Sequence, residues 1–114
     1  MVTKVNDFRK IREELTKKTL DMANLNIKRF FALDHAAYEE GKISKKNKEM
    51  MGLVASMALR CDDCISYHLD QCFDAGVDDE ELSEAMNIAL VVGGSIVIPH
   101  MRRAYAFWEE LKGL

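Results

Sequence analysis

A single proline in 114 residues, at position 99, leaves little in this chain to interrupt a helix. Alternating β-branched runs are missing, and apolar residues recur at intervals of three and four along nearly the whole sequence. That periodicity predicts an all-α fold. Phe8, Ile11, Leu15, Met22 and Leu25 share one stripe, which continues through Phe30, Phe31 and Tyr38 until Gly41 offers a stop, so this segment is one long helix or two. A loop, GKISKKNKE, leads into a helix with Ser44 as its N-cap candidate. The helix includes MMGLVASMALR, is apolar nearly all round, should be buried on several sides, and is expected to run to about Arg60. A further helix is expected from near Cys61 until just before Gly76. Asp78 then caps a helix through Val92 that Gly93 and Gly94 break. The last segment is helical if Pro99 falls in or near its first turn.

At 48% hydrophobic content the chain fits one domain over residues 1–114, large enough to build a core without disulfide staples. A formal net charge of −3, with basic and acidic residues interspersed, provides no basic stripe for a nucleic acid. The N-terminus lacks the apolar run of a signal peptide, and no stretch reaches the ~20 apolar residues of a membrane span. The reading is a soluble, cytoplasmic protein with neither a nucleic-acid nor a membrane partner. In a reducing compartment three clustered cysteines point to catalysis or metal binding rather than to a structural framework.

Those cysteines lie in RCDDCISYHLDQC, residues 60–72. On a helix, positions 61, 64, 68 and 72 fall close together on one face, so every sulfur and one imidazole share a stripe. Cys72 reads as core, because free cysteine behaves as a small buried hydrophobe. Cys61 and Cys64, three apart at a helix start, can close a disulfide, and that setting favours a thiolate. Arg60 would help the thiolate, and Asp62 and Asp63 would oppose it. His68, one turn past Cys64, could exchange a proton with either thiol if its ring folds back toward the helix start. Glu49, on the preceding helix, could meet this stripe if the two helices pack together.

Glu49, eleven residues, Cys61, two residues, Cys64, three residues and His68 make the pattern Glu-x11-Cys-x2-Cys-x3-His. This pattern resembles the signature of AhpD-type alkylhydroperoxidases in the carboxymuconolactone decarboxylase family. The resemblance covers roughly residues 30–105 and includes the Gly76 turn, the acidic helix start and the Gly93–Gly94 pair. It implies an all-helical AhpD-like domain of about five to six helices built around a helical hairpin. It further implies a homo-oligomer, commonly a trimer or hexamer, and a thiol pair that reduces hydroperoxides or disulfides. Cys61, Cys64, His68 and Glu49 would be the catalytic residues, with the last two as a proton relay. A dithiol reductant such as a lipoyl- or thioredoxin-like protein would be the partner, and no cofactor or metal is called for. Asp63 stands where the mycobacterial-type peroxidase has a histidine. The lactone decarboxylases of the family lack the cysteine pair that this chain has. Two alternatives stand beside the enzyme: a helical oligomer whose thiols only sense redox state, and a structural zinc site on Cys61, Cys64, His68 and Cys72. The roles of His100 and of Asp63 are not assigned by sequence.

Overall fold

The computed structural model describes residues 5–114. Its helices are α1 (Val5–Met22), α2 (Leu25–Ala37), α3 (Lys45–Ala58), α4 (Asp62–Asp74), α5 (Asp79–Gly93) and α6 (Ile98–Lys112), and a short 3-10 turn at Ser95–Val97 leads into α6. No strand occurs among the described residues. The all-α expectation holds.

The N-terminal stripe is two helices. Asn24 ends the ambiguity, because its side-chain oxygen accepts the Ile27 N–H at 3.0 Å and starts α2 afresh. Ser44 caps α3 in the same way, accepting from the Asn47 N–H at 3.1 Å. Asp78 and Glu81 form a reciprocal capping box on α5. Pro99 is the second residue of α6, where its missing N–H costs no helix bond.

Two helix ends show how the hairpin at the centre of the fold turns its corners. At the end of α4 the Val77 N–H reaches back to Cys72 O and the Gly76 N–H to Phe73 O, with Gly76 at φ 89°. The end of α3 repeats this with a different residue. The Cys61 N–H bonds Ser56 O at 3.1 Å, the Arg60 N–H bonds Met57 O at 3.0 Å, and Arg60 takes the left-handed position at φ 59°. The helix expected to run to Arg60 therefore stops at Ala58. An arginine in that conformation costs roughly 1–2 kcal/mol that a glycine would not.

Helix α3 packs on α4 and α5, and α4 packs on α6. Leu53 and Met57 of α3, Leu69 of α4, Leu82 of α5 and Leu111 of α6 form the centre of the core. Helix α1 joins it at one end only. Phe8 meets Phe107 edge-on at 5.6 Å between ring centroids, and Arg9 makes a two-pronged bond to Asp70 of α4. Beyond that point the apolar stripe leaves the core: Ile11, Leu15, Met22 and Leu25 are exposed, as are Phe30 and Leu33 of α2. Met51 and Leu59 are exposed as well, so α3 is covered on its α4 and α5 sides and not all round. In both places periodicity identified an apolar face without showing what lies against it.

Candidate active site

The site lies where the α3–α4 hairpin places a carboxylate from one helix against an imidazole from the other. Glu49 is fully buried and His68 nearly so. Glu49 Oε1 lies 2.8 Å from His68 Nδ1, and Glu49 Oε2 accepts from Lys45 Nζ at 3.1 Å, one turn back on α3. Burial pushes the Glu49 carboxyl upward, but the hydrogen bonds and charges of His68 and Lys45 outweigh it and hold the carboxyl below its ordinary value. An ionised carboxylate only accepts, so His68 Nδ1 carries the proton and donates it.

The other face of the imidazole meets a residue that the motif does not contain. Tyr38, at the C-terminal cap of α2, places its hydroxyl 3.5 Å from His68 Nε2, with the two rings 5.1 Å apart. Gly52 makes room for this approach. A Cβ at position 52 would lie 2.7 Å from His68 Cε1, 2.7 Å from the Tyr38 hydroxyl and 2.9 Å from His68 Nε2. The sequence reading missed both residues. Tyr38 stood in it only as one member of an apolar stripe.

Cys61 and Cys64 are joined by a disulfide across the first turn of α4, with their Cα atoms 5.3 Å apart. Cys61 is also the N-cap of α4, its sulfur accepting the Cys64 N–H at 3.2 Å. Cys64 is exposed and Cys61 half-buried. Among the described residues no hydrogen bond joins His68 to either sulfur: one ring nitrogen faces Glu49 and the other Tyr38. Thus the structure brings Glu49 and His68 into contact and bonds Cys61 to Cys64. The two pairs share α4 without bonding each other.

Cys72 is buried, as expected, and loss of solvent followed by the charge of Glu49 pushes its thiol up to about 12. It stays protonated and unreactive at neutral pH. A zinc set on this helix has no counterpart in the geometry. Two of its sulfurs are bonded to each other, and no three His, Cys, Asp or Glu side chains among the described residues are arranged to hold a metal ion.

Asp62 does not stand free to oppose a thiolate. It pairs with His100 at 2.7 Å and Arg103 at 3.0 Å, both from α6. Asp63 is exposed at the edge of a cleft of about 460 Å³ between α1 and α2.

The lowered carboxyl of Glu49 has a consequence for stability. A carboxyl held below its unfolded value contributes stability above that value, and the contribution is lost as pH falls through the folded value. The thermal melt should therefore decline on acidification below about pH 4.3. Glu49→Gln, which has no proton to take up, should show a flatter decline over the same range, and equal slopes in the two proteins would refute this assignment.

An all-helical domain with a bonded cysteine pair on one arm of a hairpin and a buried Glu–His pair across it defines a class of helical thiol-pair proteins. The description of the Carboxymuconolactone decarboxylase family matches residues 25–110, and the chain belongs to that family. The chain is 59% identical to a family protein from Thermotoga maritima whose crystal structure is described as suggesting a part in an antioxidative response. That structure superposes with a TM-score of 0.90, over 94% of this chain and 91% of that one. A family protein from Legionella pneumophila, crystallised in its apo form, is 28% identical with a TM-score of 0.81, over 94% of this chain and 96% of that one. An uncharacterised protein of the cox locus in Paracoccus denitrificans is 24% identical over 84 residues, 74% of this chain and 76% of that protein. Among the described residues no helix is long and apolar enough to cross a membrane.

Proposed function

We propose that this chain is an AhpD-like thiol peroxidase or disulfide oxidoreductase, with Cys61 and Cys64 as the redox pair and Glu49 and His68 as the groups that move protons for it. The observation that carries this reading is the bonded cysteine pair at the start of the same helix whose second turn holds His68 against Glu49. In the peroxidase cycle a thiolate attacks the terminal peroxide oxygen, the O–O bond breaks, and the alcohol leaves with a proton. The second thiol then attacks the sulfur of the resulting sulfenic acid, the S–O bond breaks, the hydroxyl leaves as water with the thiol's proton, and the disulfide forms. A dithiol then restores both thiols through a mixed disulfide. Protons must be delivered and removed at each stage, which is the work of a buried acid–base pair. Tyr38 extends this pair on its Nε2 side.

The test is peroxide consumption by the purified protein with a dithiol reductant. Sustained turnover that is lost in both Cys61→Ser and Cys64→Ser is the expected result. One oxidation per chain and no turnover would favour a redox-sensing thiol pair and overturn the enzyme. We further propose a homo-oligomer. A groove of about 620 Å³ between α3 and α5 is lined by Met50, Met51, Val54, Ile88 and Val92, and Phe30 is 68% and Leu33 67% exposed on α2. Apolar surface of that extent marks an association site. Light scattering at micromolar concentration should show a multiple of 13.0 kDa, and a species of that mass alone would refute the assembly.

A further inference from the structure

One charged cluster beside the disulfide takes no part in the reading above. Asp62 is the first residue of α4 and the neighbour of Cys61. Its Oδ1 lies 2.7 Å from His100 Nδ1 and its Oδ2 accepts from Arg103 Nη2 at 3.0 Å. Arg103 Nη2 also lies 3.1 Å from His100 Nδ1, but a contact of 2.7 Å to a carboxylate requires the proton on Nδ1. The imidazole therefore donates to one carboxylate oxygen and the guanidinium to the other. Arg103 Nε is buried without any hydrogen-bond partner. The guanidinium is thus held partly out of water, and its visible compensation is the bond to Asp62. Burial pushes the Asp62 carboxyl upward, but His100 and Arg103 outweigh that effect and hold it below its ordinary value, so it is charged.

An unpaired carboxylate one residue from Cys61 would resist the negative charge that appears when the disulfide opens. The remaining charges around the pair leave the task to α6. Arg60 sits in the linker, Asp63 is exposed on the other side of the α4 start, and on α3 the Glu49 charge is already met by Lys45 and His68. We propose that His100 and Arg103 are positioning residues for the cysteine pair: by fixing and neutralising Asp62 they keep its charge from opposing the thiolate. This inference rests on the redox reading above. The step concerned is attack of a dithiol's thiolate on one sulfur of the bond. The S–S bond breaks and its electron pair goes to the other cysteine, which leaves as thiolate. The second thiol of the dithiol then releases the first cysteine, so that two electrons pass to the protein and the dithiol becomes a disulfide.

The test follows thiolate formation in the reduced full-length protein by ultraviolet absorbance against pH, with Cys72 silent because its thiol stays protonated. Arg103→Gln should reduce the thiolate present at a given pH by about three- to tenfold, and His100→Leu should act in the same sense. Arg103→Lys, which keeps the charge, should stay with the parent protein. In an Asp62→Asn background Arg103→Gln should have little effect, an outcome that loss of packing alone would not produce. A parent-like midpoint in Arg103→Gln, or an undiminished shift in the Asp62→Asn background, would overturn the proposal. Alkylation of the parent protein in graded dithiol buffers separates the two readings. If the Cys61–Cys64 bond forms and opens reversibly while Arg103→Gln is inert, only the positioning role fails. If the bond never forms, the redox reading fails and the positioning role fails with it.

Discussion

If the proposed relay operates, Glu49→Gln should slow peroxide-dependent turnover by about 10²- to 10⁴-fold, the range expected when a positioned acid–base group is removed. The change keeps the shape of the side chain and its place between Lys45 and His68, while removing the charge that fixes the proton on His68 Nδ1. His68→Ala should slow turnover by a similar factor, and it does something more. It opens a cavity next to Gly52 and leaves a fully buried carboxylate with Lys45 as its one ion-pair partner. Breaking a buried pair in this way costs about 3–5 kcal/mol, so the melting temperature of His68→Ala falls as well. The double variant should turn over little more slowly than either single one, as expected of two residues that act as a unit. Steady-state rates with an artificial dithiol, measured below each variant's melt, check the prediction. Unchanged turnover in Glu49→Gln would sink the relay even where the disulfide is intact.

Gly52→Ala should remove most of the proposed activity from a position that carries no chemistry. The added methyl group collides with the His68 ring and the Tyr38 hydroxyl together. Tyr38 is half-buried at the end of α2 and can swing aside, whereas His68 is held from behind by Glu49. The Tyr38 contact is therefore lost first, and the imidazole is pushed off its line. Misplacing a catalytic group by about 1 Å costs on the order of 10²-fold. The change in stability is smaller than the change in rate. Overpacking costs about 1–3 kcal/mol, and the better helix propensity of alanine returns close to 1 kcal/mol of it. A near-parental melt with a rate reduced about a hundredfold is the expected pair of results, and parental turnover would show that the Gly52 gap has no functional use.

What could be read from the sequence was local. Ser44, Asp78 and the Gly76 turn were legible because a cap is a relation between residues three or four apart. The cysteine–histidine stripe was legible for the same reason, since one helix carries it. Tyr38 was not, because its partner lies thirty residues away on another helix. The Asp62–His100–Arg103 cluster depends on how α4 meets α6, which no periodicity reports. The left-handed turn at Arg60 was not legible, because that corner belongs by habit to glycine. Asn24 was the one missed signal of the legible kind, an N-cap side chain in an otherwise uninterrupted stripe.

Cys61 closes α3 through its own N–H, opens α4 through its sulfur, and carries one half of the disulfide. On the proposed redox reading, one residue is therefore a mechanical joint and an electron store together. Thermodynamic reciprocity then binds the two properties: whatever changes the strength of the joint must change the ease of reduction by the same free energy, and the reverse holds too. The amide of Cys64, which points at that sulfur, becomes a natural gauge of the oxidation state. Its hydrogen exchange would change with each redox turn, while amides deep in the hairpin kept their pace.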